Sequence, residues 1–88
     1  MADCRNLSGD RIRIARSLHR PKMTQEDLIA KLQVEHQIYF SRNTISRIET
    51  GERYITDCEL LAIFKVLKVP ILWLLRETDK LDNKLSPR

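Results

Sequence analysis

An all-α domain of five short helices is what this sequence predicts, on three observations. A capping device recurs four times: Leu7-Ser8 before Ile12, Met23-Thr24 before Asp27 and Leu28, Phe40-Ser41 before Ile45, and Ile55-Thr56 before Glu59 and Leu60. Each sets an apolar residue ahead of a hydroxyl that can accept from a free first-turn amide, with another apolar residue at the fourth helical position. Apolar residues then recur at intervals of three and four, the period of a helix with one buried face. Helix boundaries fall where this pattern needs them, with stops at Pro21 and Gly51 and a start at Pro70.

The first helix should run from about Gly9 to His19, burying Ile12 and Ala15 with Leu18 nearby, until Pro21 blocks it. The second starts at Gln25 after the Thr24 cap and buries Leu28 and Leu32 beside Ile29; Asp27 approximates a capping box. The third lies in FSRNTISRIETG, with Ser41 as cap, Phe40 and Ile45 as staple, and Gly51 at the left-handed position past its end. The fourth, Asp57 to Leu67, has a full capping box in Thr56 and Glu59 and should bury Leu60, Ile63, Phe64 and Leu67. Pro70 suits the first position of a fifth helix, ILWLLRE, which is too apolar all round to stand exposed on a monomer. This gives one domain over residues 1–77, a helix-turn-helix at about 24–50, and a polar tail over 78–88 in which Leu81 and Leu85 can extend an amphipathic turn.

Composition narrows the function classes. At 88 residues the chain supports one small core, and 42% apolar with 32% charged residues suits a folded, soluble domain. The net charge of +4 favours an acidic partner, and its excess sits early, where Arg5, Arg11, Arg13, Arg16, Arg20 and Lys22 face only Asp3 and Asp10. Arg11, Arg13 and Arg20 read as general surface charge. Cys4 and Cys58 are far apart and lack metal-ligand spacing, so both read as reduced thiols, Cys58 as a small packed one. No apolar run approaches a membrane span and MADCRNLSGD has no apolar signal core, which leads to a cytoplasmic expectation with no membrane partner. His19 and His36 have no carboxylate or thiol at ligand spacing, so neither metal nor cofactor is expected. No P-loop, GxGxxG, HExxH or nucleophile–base pair is present, so the chain is not read as an enzyme.

The third helix carries the chemistry. Ile45 and Ile48 share one face, while Arg42, Asn43, Ser46 and Arg47 lie off it near the N-terminal end. Arginine pairs bidentately with guanine and asparagine with adenine, so a helix that opens on these groups suits the major groove of DNA. A helix, a connection and a second helix of this kind make a helix-turn-helix.

MTQEDLIAKL, NTISRIETGER and ELLAIFKVLKVPILWLL resemble the lambda-repressor-like, Cro/CI-type (XRE) helix-turn-helix domains, over Ile12 to Leu75. The resemblance implies a compact five-helix lambda-repressor-like domain that binds double-stranded DNA as a homodimer through its third helix. By position it makes Arg42, Asn43, Arg47 and Ser46 base readers, and Gln25, Ser41, Thr44, Arg53 and Tyr54 backbone contacts. It also pairs Arg16 with Glu49 as a structural ion pair. The chain departs from the family in SLHRPKMT, a longer first connection, in Ile29 where a small residue is usual, and above all in QVEHQIYF. That stretch replaces a tight glycine-centred turn and extends the connection between helices two and three. Ile38 should plug it into the core, and His36 and Gln37 at its tip read as exposed loop, with a phosphate contact as the alternative. Leu72, Trp73 and Leu74 divide between core packing and a dimer interface, where aromatics are enriched. The expected function is that of a sequence-specific transcriptional regulator, a repressor acting as a dimer on an inverted repeat. The alternative is a protein-interaction module or antitoxin-type partner of another protein.

Overall fold

A computed structural model of the chain describes residues 5–81. Five helices follow in order: α1 (Gly9–Leu18), α2 (Gln25–His36), α3 (Arg42–Glu49), α4 (Asp57–Leu67) and α5 (Ile71–Leu74). No strand occurs among the described residues. α1 packs on α3, α4 and α5, while α2 packs on α3 and α4. The core between them is built from Ile12, Leu28, Leu32, Ile45, Ile48, Ile63, Leu67 and Leu74, each 1% exposed or less. Burying a side chain of this size stabilises by about 1.5–3 kcal/mol before entropy is counted.

Three helices begin as their caps dictate. Thr24, Ser41 and Thr56 are extended, and their hydroxyls accept from the amides of Asp27, Thr44 and Glu59. Asp27 and Glu59 return the bond to the cap amide, so both capping boxes are complete. Ser8 behaves otherwise. Its backbone is already helical, which turns its hydroxyl away from the first-turn amides. The Ser8 hydroxyl donates instead to the Leu74 carbonyl at 2.8 Å, and Leu7 is exposed. Asn6 does the capping: its Oδ1 accepts from the amides of Ser8 at 3.1 Å and Gly9 at 2.7 Å.

Several boundaries and faces differ from expectation. Leu18 ends α1 exposed rather than close to the core. The first half of QVEHQIYF stays helical, so α2 gains a turn through His36, and the connection to α3 is Gln37–Ser41. Gln37 takes the left-handed backbone (φ 55) that glycine usually supplies. Its amide and that of Ile38 recapture the carbonyls of Gln33 and Leu32. Ile38 and Phe40 pack partly against the core. On α4 the buried face is Ala62, Ile63, Val66 and Leu67, rotated from expectation so that Leu60 and Phe64 are half-buried. α5 is one turn only, with Pro70 as its cap rather than its first residue. Trp73 and Leu74 are core, and of that triplet Leu72 alone is exposed.

Two surface assignments also change. Arg11 is not free charge: its guanidinium donates to the carbonyls of Trp73 and Thr78, pairs with Asp79 at 2.8 Å, and lies 5.0 Å from the Trp73 ring centroid. It thereby holds the start of the expected tail, whose Leu81 packs on the core. Cys58 is exposed in the first turn of α4 rather than packed. Cys4 and Leu85 lie outside the described residues. Among the described residues, no helix is long and apolar enough to cross a membrane.

Gly9 is where α1 meets the end of α3. A Cβ there would run into the Ile48 carbonyl oxygen and sit 3.1 Å from that of Glu49, both backbone atoms with little freedom to yield. Gly9→Ala should therefore destabilise by about 1–3 kcal/mol, the usual range for overpacking. Urea denaturation checks this, and unchanged stability would contradict the close seating of α1 on α3.

Candidate nucleic-acid interface

α3 is held through one face and its C-terminal end. Ile45 and Ile48 face the core, and Glu49, one residue on, enters it at 7% exposure. An unpaired buried carboxylate would be costly, so its partners matter. Arg16, itself 8% exposed, meets it side-on: Nε donates to Oε2 at 2.7 Å and Nη2 to Oε1 at 2.9 Å. Arg16 Nη1 donates to the Met23 carbonyl at 3.0 Å, and the Met23 amide donates back to the Arg16 carbonyl at 3.1 Å. Gln25 completes the set from α2, its Nε2 donating to Glu49 Oε1 at 3.1 Å and to Ser46 Oγ at 3.3 Å. One carboxylate thus links α1, α2, α3 and the segment before α2. Among the described residues, no buried side-chain nitrogen or oxygen lacks a partner.

The last turn of α3 is closed by its backbone. The Gly51 amide donates to Ile48 and the Glu52 amide to Arg47, the paired bonds of a Schellman motif. Gly51 has φ +82 and open space around it, so backbone conformation rather than crowding calls for glycine. Asn6 adds a tie absent from the sequence reading. Its Nδ2 donates to Ile48 O at 3.2 Å and Arg53 O at 2.8 Å, joining the segment before α1 to the loop after α3. A capping signal at Asn6 was hidden by the more obvious Leu7-Ser8.

One face of α3 turns outward. Arg42, Asn43 and Arg47 are exposed, while Thr44 and Ser46 are half-buried. Ser41 and Thr44 share a hydroxyl–hydroxyl bond of 3.0 Å. The arginines have acidic neighbours that the sequence reading did not single out. Arg42 Nε stands 2.9 Å from Glu26 Oε2, and Arg47 Nε stands 3.8 Å from Glu52 Oε1. Arg53 is the most committed: it donates to both Glu59 oxygens at 3.1 and 3.3 Å and to Tyr54 O at 2.9 Å, and stacks 5.2 Å from the Phe40 ring centroid. Tyr54 beside it is exposed. His36 closes α2 rather than sitting on a loop tip. His19, away from this face, donates Nε2–H to the Leu67 carbonyl at 2.9 Å.

Two carboxyls on these elements are shifted. Burial pushes Glu59 up, but hydrogen bonds from Arg53 and the Thr56 amide outweigh it and hold the group below its ordinary 4.5. Bonds from the Thr24 amide and hydroxyl hold exposed Asp27 below 3.8.

A family model described as Helix-turn-helix matches residues 20–74, spanning α2 to α5. No curated protein and no solved structure matches the chain.

Two outcomes follow from this geometry. Arg16→Ala should cost about 3–5 kcal/mol in chemical denaturation, because Glu49 is left charged and buried. Replacing both partners by apolar residues should recover most of that loss, and a single variant within error of wild type would contradict the pairing. Glu59 binds protons less tightly when folded, so its contribution is present above pH 4.5 and fades as pH falls through its lower folded value. Stability measured against pH should therefore decline more gently below that point in Glu59→Gln than in wild type; parallel curves would refute it.

Proposed function

Because the chain belongs to the XRE, lambda-repressor-like helix-turn-helix family of DNA-binding transcription regulators, we propose that it is a sequence-specific repressor acting as a homodimer on an inverted-repeat operator. One observation supports this above the rest. α3 is anchored through Glu49, Ile45 and Ile48, while Arg42, Asn43 and Arg47 stand exposed at and beyond its capped end. On this reading Arg42, Asn43, Arg47 and Ser46 meet base edges in the major groove.

Gln25, Ser41, Thr44, Arg53 and Tyr54 set the register through phosphate contacts, which position without specifying. Gln25 has a supporting role as well, since its amide already touches Ser46. Arg53 would meet a phosphate only through what Glu59 leaves free, so Tyr54 is the more available of the two. A dimer would place two α3 helices roughly 34 Å apart, one turn of DNA. Leu72 is the exposed apolar residue of α5 that such an interface can use.

Selection from random duplex DNA tests the proposal. A short inverted repeat should be enriched, whereas no enrichment at moderate salt would favour a protein-interaction module instead. Against the enriched site, Arg42→Ala should lose about 1–3 kcal/mol and relax preference at one base. Equal loss on cognate and random duplex would remove Arg42 from base reading.

A further inference from the structure

Beside the outward end of α3 stands a carboxylate that neither affinity nor stability accounts for. Glu26, the second residue of α2, places Oε2 at 2.9 Å from Nε of Arg42, the first residue of α3. Their side chains are 58% and 70% exposed. A negative charge there repels phosphate and lowers affinity for every duplex alike. An ion pair so exposed contributes little to folding. The capping box of α2 already uses Asp27, so Glu26 adds only the small benefit of an acid near a helix start.

We propose that Glu26 is a specificity-determining positioning residue that acts through Arg42. The inference rests on α3 being the base-reading helix. Nε stands nearest the carboxylate, which leaves the two terminal amino groups of the guanidinium to form the free edge. That edge is the fork that matches O6 and N7 of guanine. Without the carboxylate, a long flexible arginine can settle on any nearby phosphate, and its charge then serves all sequences equally. Glu26 therefore trades general affinity for discrimination at one base pair. Its neighbour Gln25 donates to Ser46 and Glu49 of the same helix, so two successive residues of α2 face α3.

The experiment compares wild type, Glu26→Gln and Glu52→Gln on the enriched duplex, on its single-base variants and on random duplex. The base pair read by Arg42 is the one whose preference Arg42→Ala abolishes. Glu26→Gln should lower preference at that pair by about three- to tenfold while raising random-duplex affinity by about two- to fivefold. Glu52→Gln removes the same charge but stands 3.8 Å from Arg47, so it should raise random-duplex affinity and leave that pair's preference intact. In the Arg42→Ala background, Glu26→Gln should change nothing further at that pair. A melting midpoint equal to that of wild type ties the effect to recognition rather than folding. Retained preference in Glu26→Gln, equal loss at every position, or the same loss in Glu52→Gln overturns the inference while leaving DNA reading intact. A wild-type chain that enriches no sequence overturns both.

Discussion

The seating of α3 depends first on the Glu49 carboxylate. A helix of eight residues cannot hold itself together in water, where isolated helices shorter than about 12–15 residues are marginal. α3 therefore takes its order from what grips it. Glu49 supplies the directional part of that grip, because Arg16 and Gln25 converge on it from α1 and α2. Ile45 and Ile48 supply the non-directional part. Apolar burial alone lets a short helix rotate or slide among similar packings; a two-bond fork fixes one of them. The supports also lie towards one end. Asn6 on the Ile48 carbonyl, Gly9 against the same atom, and the Schellman closure at Gly51 all act on the C-terminal part of α3. The N-terminal end is left outward and capped only by its own Ser41.

The charges on that outward face are largely balanced from within. Arg42, Arg47 and Arg53 each have a glutamate within 4 Å, so the net charge of +4 overstates how positive the face is. The three pairs are not equivalent. Those of Arg42 and Arg47 are exposed and cheap to exchange, whereas Arg53 is braced by two glutamate oxygens, a backbone carbonyl and the Phe40 ring. Exposed pairs leave an arginine able to change partners, and a braced one keeps it in place. On the proposed reading, phosphate affinity summed over the three is therefore smaller than a count of arginines suggests.

How much of this was legible in the sequence depends on the kind of signal. Thr24, Ser41 and Thr56 act on amides three residues away, so local spacing suffices to read them. Ser8 has the same spacing and fails, because its backbone is already helical and Asn6 takes the free amides, while its hydroxyl donates to Leu74 far along the chain. The Arg16–Glu49 pair entered through family resemblance, since no local rule links residues so distant. Glu26 and Glu52 went unread for a related reason: a carboxylate's partner is set by how helices cross, which residue order does not state. Arg11 looked like surface charge because the carbonyls it serves belong to the chain beyond α4.

The connection between α2 and α3 illustrates how fold and site are tied. Its extra residues need not loosen the helix-turn-helix, because the first of them lengthen α2 and move the turn outward. Gln37 then makes the reversal without glycine, accepting a strained φ in exchange for two recaptured carbonyls. Ile38 and Phe40 return the chain to the core before Ser41 starts α3. Phe40 also lies under Arg53, so the residue that sets the approach to α3 supports the loop that leaves it. A tight turn would fix α3 through the backbone alone. Here side chains on both flanks take over that task, which leaves the placement of α3 dependent on packing rather than on turn length.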